Sequence, residues 1–191
     1  MTWRPDFGPE PPHATTLDSH RMYDSPWISV RKDDIRQPSG ALSDRHVAER
    51  PPSVVIVPVT TDDHVLLVRQ WRHAADRHLI ELPAGLIDEG ESVEETARRE
   101  LREETGHEAG EVSALGTAFL SPGFTDEQST FVLATGCVPI EIEQDQDEPV
   151  QVARVPLAKV PDLLVPGDPV IQQAQCLIGL FWLLRLRPAL A

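Results

Sequence analysis

The chain has only two cysteines in 191 residues, Cys137 and Cys176, and they stand far apart in isolated settings. Two such thiols make no disulfide framework. With no signal peptide at the Met1 end, they read as reduced core or surface thiols of a cytosolic protein. Basic residues are also scarce: 17 Lys and Arg against 31 Asp and Glu leave a net charge of −14. A balance this acidic argues against nucleic acid as a general partner, because binding its backbone requires clustered positive charge. Long apolar runs are missing too. The most apolar stretch, Cys176 to Leu184, is nine residues long and stops at Arg185, whereas a bilayer-spanning helix needs about 20. There is no internal repeat. What remains, 40% hydrophobic and 25% charged residues, suits one soluble domain with a sizeable core, residues 51–191, preceded by an N-terminal extension, residues 1–50.

The acidic charge is concentrated. Eight carboxylates lie between Gly85 and Gly106, and five more within Glu141–Glu148. Two local clusters suggest cation sites, where a uniform coat would suggest only solubility. The first cluster is set on a predicted helix. Ser92 followed by Glu95 is a capping box that starts a helix at about Val93, and Gly106 is the left-handed stop. Val93, Ala97 and Leu101 form its narrow buried stripe. Glu100, Glu103 and Glu104 fall together on another side, three and four residues apart, where like charges repel. A divalent cation reverses the sign of that interaction, and hard cations such as Mg2+ take carboxylate oxygens while leaving room for phosphates. The plain alternative is a solvated acidic helix face.

The flanking residues decide between the two. Gly85 is followed after five residues by Glu91, and then after seven by Arg99-Glu100-Leu101, Arg102, Glu103-Glu104, Thr105 and Gly106. This is the pattern GX5EX7REUXEEXG, complete from Gly85 to Gly106, and on it the chain resembles the Nudix hydrolases, which cleave nucleoside diphosphates linked to another moiety. His107 takes the last signature position, which is usually a large apolar residue. The resemblance implies a Nudix-type α/β/α sandwich with a mixed sheet, and metal held by Glu100 and Glu104, with Glu103 completing the metal site or orienting the water. Gly85 then lets the loop approach closely, and Glu91 pairs with Arg99 in a structural role.

Pieces outside this box resemble one subgroup, the ADP-ribose pyrophosphatases. Glu81-Leu82-Pro83-Ala84-Gly85 matches the approach to the box, which assigns a metal-binding carbonyl to Ala84. VRQWR (Val68–Arg72) resembles the strand whose last arginine contacts the diphosphate, hence Arg72. Its guanidinium suits phosphate oxygens, although on the residues alone a surface salt bridge explains Arg72 equally well. SPGFTDE (Ser121–Glu127) places Pro122 sixteen residues beyond Gly106, a spacing associated with ADP-ribose-type substrates, and makes Glu127 a pocket residue. Trp27 and Arg45 could face the adenine, since an indole stacks on a base; the alternative for Trp27 is simple packing. In the second acidic cluster, Glu148 fits a further metal ligand and a candidate base. Gln146 stands where the subgroup has its glutamate base, so Glu103 or Glu148 must substitute. The expectation is a Mg2+-dependent diphosphatase, with Mn2+ as a possible substitute, acting on ADP-ribose or a related nucleoside diphosphate sugar. It is expected to be cytoplasmic, homodimeric and without nucleic-acid or membrane partners. GDP-mannose or another nucleotide sugar is the alternative substrate, and a non-catalytic nucleotide-binding module the alternative class.

The strand pattern is read as follows. Residues 1–20 look irregular and Tyr23–Ile35 contains a strand. Ser53–Val59 and His64–Trp71 form a hairpin through Thr61-Asp62-Asp63, and Leu79–Leu82 is a short strand. Further strands cover Val112–Leu120, Ser129–Leu133 and Val150–Val155. A short helix covers Leu157–Leu164, and a final helix starts after Asp168-Pro169.

Overall fold

The computed structural model describes residues 4–141, 150–166 and 170–190, with side chains described to residue 186 in the last segment. The chain divides into two units: residues 1–50 with Ser121–Glu127, and residues 51–120 with 128–191.

The first unit is an antiparallel sheet of β1 (Thr15–Tyr23), β2 (Ser29–Arg36) and β3 (Leu42–Glu49), in that order. Part of the segment expected to be irregular is therefore a nine-residue strand. Its residues TTLDSHRMY are all exposed, so no apolar alternation marks it; pairing with β2 supplies the order that its own pattern does not. The loop Ser121–Glu127 is fastened to the end of β3. The Ala48 N–H donates to the Phe124 carbonyl at 2.8 Å, the Asp126 N–H donates back to the Ala48 carbonyl at 3.3 Å, and the Arg50 N–H caps the Asp126 carboxylate at 3.1 Å.

The second unit is built on a mixed sheet. β4 (Ser53–Thr60) lies at its centre, antiparallel to β5 (His64–Arg72) and parallel to β10 (Gln128–Pro139). β6 (Arg77–Glu81) and β11 (Gln151–Pro156) both pair with β5, β7 (Ala84–Leu86) with β4, and β8 (His107–Glu108) and β9 (Glu111–Phe119) with β10. All eight residues of β4 are buried, which explains why SVVIVPVT reads as continuous rather than alternating: both faces of the strand are covered. Val54, Ile56, Leu66 and Val132 pack on one side against Ala97 and Leu101 of α1 (Val93–Thr105). Val55, Val57, Leu67 and Phe131 pack on the other against Cys176, Leu180 and Leu183 of α2 (Ala174–Leu190). The layers are α/β/α, and each buried Val, Leu or Ile contributes about 1.5–3 kcal/mol.

The local signals account for most helix ends. Ser92 accepts from the Glu95 N–H while the Glu95 carboxylate accepts from the Ser92 N–H, and Gly106 closes α1 at φ 66°. Leu157–Leu164 forms a 3-10 helix, because Pro161 within it has no N–H to donate to an α-helical ladder. The final helix begins at Ala174, later than the sequence suggests. There the Gln173 side chain accepts from the Cys176 N–H at 2.6 Å and caps the first turn; Pro169 lies outside the described residues. No helix among the described residues is long and apolar enough to cross a membrane.

Ser92→Ala removes the hydroxyl end of the capping box. It is expected to lower stability by about 1 kcal/mol, read as a shift in the denaturant midpoint with an unchanged m-value. An unchanged midpoint would mean that Glu95 alone sustains the helix start.

Candidate active site

The turn at Pro83-Ala84-Gly85 and the helix α1 meet because Gly85 has no side chain. A Cβ there would lie 1.8 Å from Glu100 Oε1, so only glycine lets this carboxylate rest against the β7 backbone. Next to it, Glu104 Oε2 accepts the Ala84 N–H at 3.2 Å. The two carboxylates stand on adjacent turns of α1 and both turn inward. Burial raises the pKa of Glu100, and burial with the Glu100 charge pushes Glu104 up to about 8.

Arg99 closes the loop before α1. Its Nε and Nη2 donate to the two oxygens of Glu91 at 3.0 and 2.9 Å, and Nη2 also reaches the Leu86 carbonyl at 3.1 Å. Its Nη1 donates to Glu100 at 2.6 Å and to Glu103 at 3.3 Å. The fork-on-fork contact holds the Glu91 carboxyl down to about 2, well below its ordinary range. Glu103 is more than half exposed, on the open side of this arrangement.

The third wall comes from the β5–β6 hairpin. Arg72, the last residue of β5, donates through Nε and Nη2 to the two oxygens of Glu81 at 2.8 and 2.6 Å. Glu81 is fully buried, so this is no surface salt bridge. Both charges act on Glu104: Arg72 favours its ionised form and Glu81 opposes it. Glu81 was visible in the sequence only as the first letter of ELPAG. Its one signal was a glutamate at the inner end of an otherwise apolar strand, LIEL.

Glu127, Trp27 and Arg45 belong to the first unit. Glu127 pairs with Arg50 at 3.3 Å. Trp27 is largely exposed just before β2, and Arg45 on β3 donates to the Asp44 carbonyl at 2.7 Å. Glu148 and Gln146 lie outside the described residues.

The NUDIX domain profile matches residues 49–174. The chain belongs to the Nudix family. It is a Nudix hydrolase, and the profile of the nucleoside diphosphate sugar hydrolase N-terminal domain also matches, over residues 15–48. An ADP-ribose pyrophosphatase from Bacillus subtilis is 34% identical over 144 residues, 74% of this chain and 78% of the relative. An ADP compounds hydrolase from Escherichia coli is 36% identical over 129 residues, 68% of each chain. A crystal structure of an ADP compounds hydrolase superposes with a TM-score of 0.83 at 30% identity, covering 95% of this chain and 98% of that one.

Nudix hydrolases as a family use divalent metal, and the donors here suit a hard cation. Glu100 and Glu104 offer carboxylate oxygens side by side in a desolvated place, where a positive charge would offset both their burial and their mutual repulsion. Among the described residues, no three His, Cys, Asp or Glu side chains converge tightly enough to cage an ion. An open set of two carboxylates fits a cation that completes its shell with backbone carbonyl, water and substrate phosphate.

The Glu104 shift has a thermodynamic consequence. With a folded pKa of about 8 against an unfolded value of about 4.3, the native chain without metal binds an extra proton between these limits. Its stability therefore falls as pH rises from about 4.3 to 8. Thermal unfolding of chelator-treated protein should show this slope, and Glu104→Gln should reduce it. Parallel pH profiles for the two proteins would overturn the assignment of the titration to Glu104.

Proposed function

We propose that this Nudix hydrolase cleaves the diphosphate of ADP-ribose, giving AMP and ribose 5-phosphate, with Mg2+ as its metal and Mn2+ as a possible substitute. The observation that carries the reading is the convergence on α1, β7 and the β5–β6 hairpin of two inward carboxylates, Glu100 and Glu104, with the half-exposed Arg72. Carboxylates for metal and a guanidinium for phosphate, in one place, make a receptor for a metal-bound diphosphate. Glu100, Glu104 and the Ala84 carbonyl would hold the metal, which supplies charge neutralisation on the diphosphate and a lowered pKa for water.

The chain's own groups do the rest. Arg72 draws the diphosphate against the site. Glu103, exposed beside Arg99, or Glu148 accepts the proton of the attacking water as its oxygen bonds to phosphorus and the P–O–P bridge breaks. Glu91 and Arg99 keep the loop and helix in register. Glu127, Trp27 and Arg45 are proposed to contact the ribose and adenine. The names of the relatives favour ADP compounds. The N-terminal profile keeps a broader second reading, other nucleotide sugars including GDP-mannose. The complete box speaks against a module that binds without cleaving. We also take the chain to be cytoplasmic and without nucleic-acid or membrane partners.

The reading is tested by direct competition between ADP-ribose, GDP-mannose and nucleoside triphosphates under Mg2+, with products identified by mass. ADP-ribose is expected to have the highest kcat/KM, and a clear win by another compound removes the substrate assignment. Glu104→Gln should fold and lose on the order of 10²-fold or more in kcat. Activity persisting in excess chelator removes the metal.

A homodimer completes the proposal. Leu17, Tyr23, Trp27 and Leu42 are half or more exposed on or beside the N-terminal sheet, more apolar surface than a free sheet usually leaves in water. Sedimentation equilibrium should give twice the chain mass, and a concentration-independent monomer would remove the dimer.

A further inference from the structure

The Glu81–Arg72 pair is more than a fastening of two strands. The β5–β6 ladder is already continuous from Val68↔Glu81 to Arg72↔Arg77, so the hairpin needs no side-chain staple. Glu81 stands opposite Val68, four residues back along β5 from Arg72. The arginine side chain must therefore lie along the strand to meet it. Burial is strongly one-sided: the Glu81 side chain is 1% exposed and that of Arg72 44%. For stability alone, apolar side chains at both 72 and 81 would serve as well as the ion pair or better. What the carboxylate adds is direction. Both its oxygens engage one edge of the guanidinium, Nε and Nη2, which fixes the plane of the fork. The opposite edge, carrying Nη1, is thereby turned away from Glu81.

Resting on the diphosphatase reading above, we infer that Glu81 is a positioning residue. It grips Arg72 from inside so that the outer edge of the guanidinium meets the substrate diphosphate beside Glu104. Losing the two-oxygen grip releases the plane of the fork from Glu81 and costs that alignment. With both oxygens on Arg72, Glu81 is assigned neither to the metal nor to the proton transfer.

A double-mutant cycle tests this on purified full-length protein, with kcat and KM for ADP-ribose, or for whichever nucleoside diphosphate derivative the wild type cleaves fastest. Glu81→Gln and Arg72→Ala should each lower kcat/KM by on the order of 10- to 100-fold, with the same division between kcat and KM. The double variant should be no worse than Arg72→Ala alone, within about threefold. Losses that multiply would overturn the inference, because Glu81 would then act independently of Arg72. Recovery of Glu81→Gln at saturating Mg2+ would overturn it in favour of a metal ligand, and wild-type kinetics in Glu81→Gln would overturn it outright. Where Glu81→Gln fails to fold by circular dichroism, Glu81→Asp and Arg72→Lys carry the test, since each keeps its charge and breaks the fork. Matching losses support the grip; wild-type rates in either overturn it. Failure of the substrate reading is seen separately, in a wild type that leaves ADP-ribose intact and cleaves another compound.

Discussion

The geometry of the candidate site hangs on Arg99. One guanidinium on the second turn of α1 holds Glu91 by two oxygens, the Leu86 carbonyl by a third contact and Glu100 by a fourth. The loop after β7, residues 87–92, rests on the core only through Ile87, and this set of bonds ties the rest of it to the helix. A planar fork can satisfy several acceptors at fixed angles, which an ammonium cannot. The same residue then limits repulsion among Glu91, Glu100 and Glu103, which without it would disfavour the helix they decorate. The acidic density of the box is tolerable because its cation is built in.

Beyond the reach of Arg99 the balance changes. Glu104 lies deeper, next to Glu81 and Arg72, and is pushed up to about 8. Glu91, on the solvent side with its fork and the Thr96 hydroxyl, is held down to about 2. Two carboxylates of one motif are thus driven apart by environment. Glu91 is already neutralised and serves as structure, and Glu104 is left wanting a positive charge. That division is what favours a cation beside Glu104 in the proposed site.

Much of this was legible in the chain. The capping box at Ser92, the left-handed stop at Gly106 and the spacing from Gly85 to Glu104 are local, and local rules located the helix to the residue. β1 and β3 were not legible, because their polar residues carry no periodicity and become strands only by pairing with β2. Glu81 was hidden for a related reason. Its partner is nine residues away across a hairpin, and a lone glutamate in LIEL gives no sign of whether it faces water or the interior. α2 starts later than Pro169 suggests because the cap in use is a glutamine side chain, Gln173, a residue type that simple capping rules do not select.

The two layers of helices also divide the labour. α1 supplies charge, and α2 covers the opposite face of the sheet around Leu82 and Glu81. Gly179 of α2 lies so close to Leu82 that a Cβ there would fall 2.3 Å from its Cδ1, and Cys176 is buried near Glu81. The residue next to Glu81 is therefore packed directly under the last helix. A low-dielectric floor strengthens every charge above it, the Arg72 fork included. Loosening α2 would admit water beneath Glu81 and weaken that fork without touching a single acidic residue of the box. In this fold the apolar helix is as much a part of the electrostatics as the acidic one.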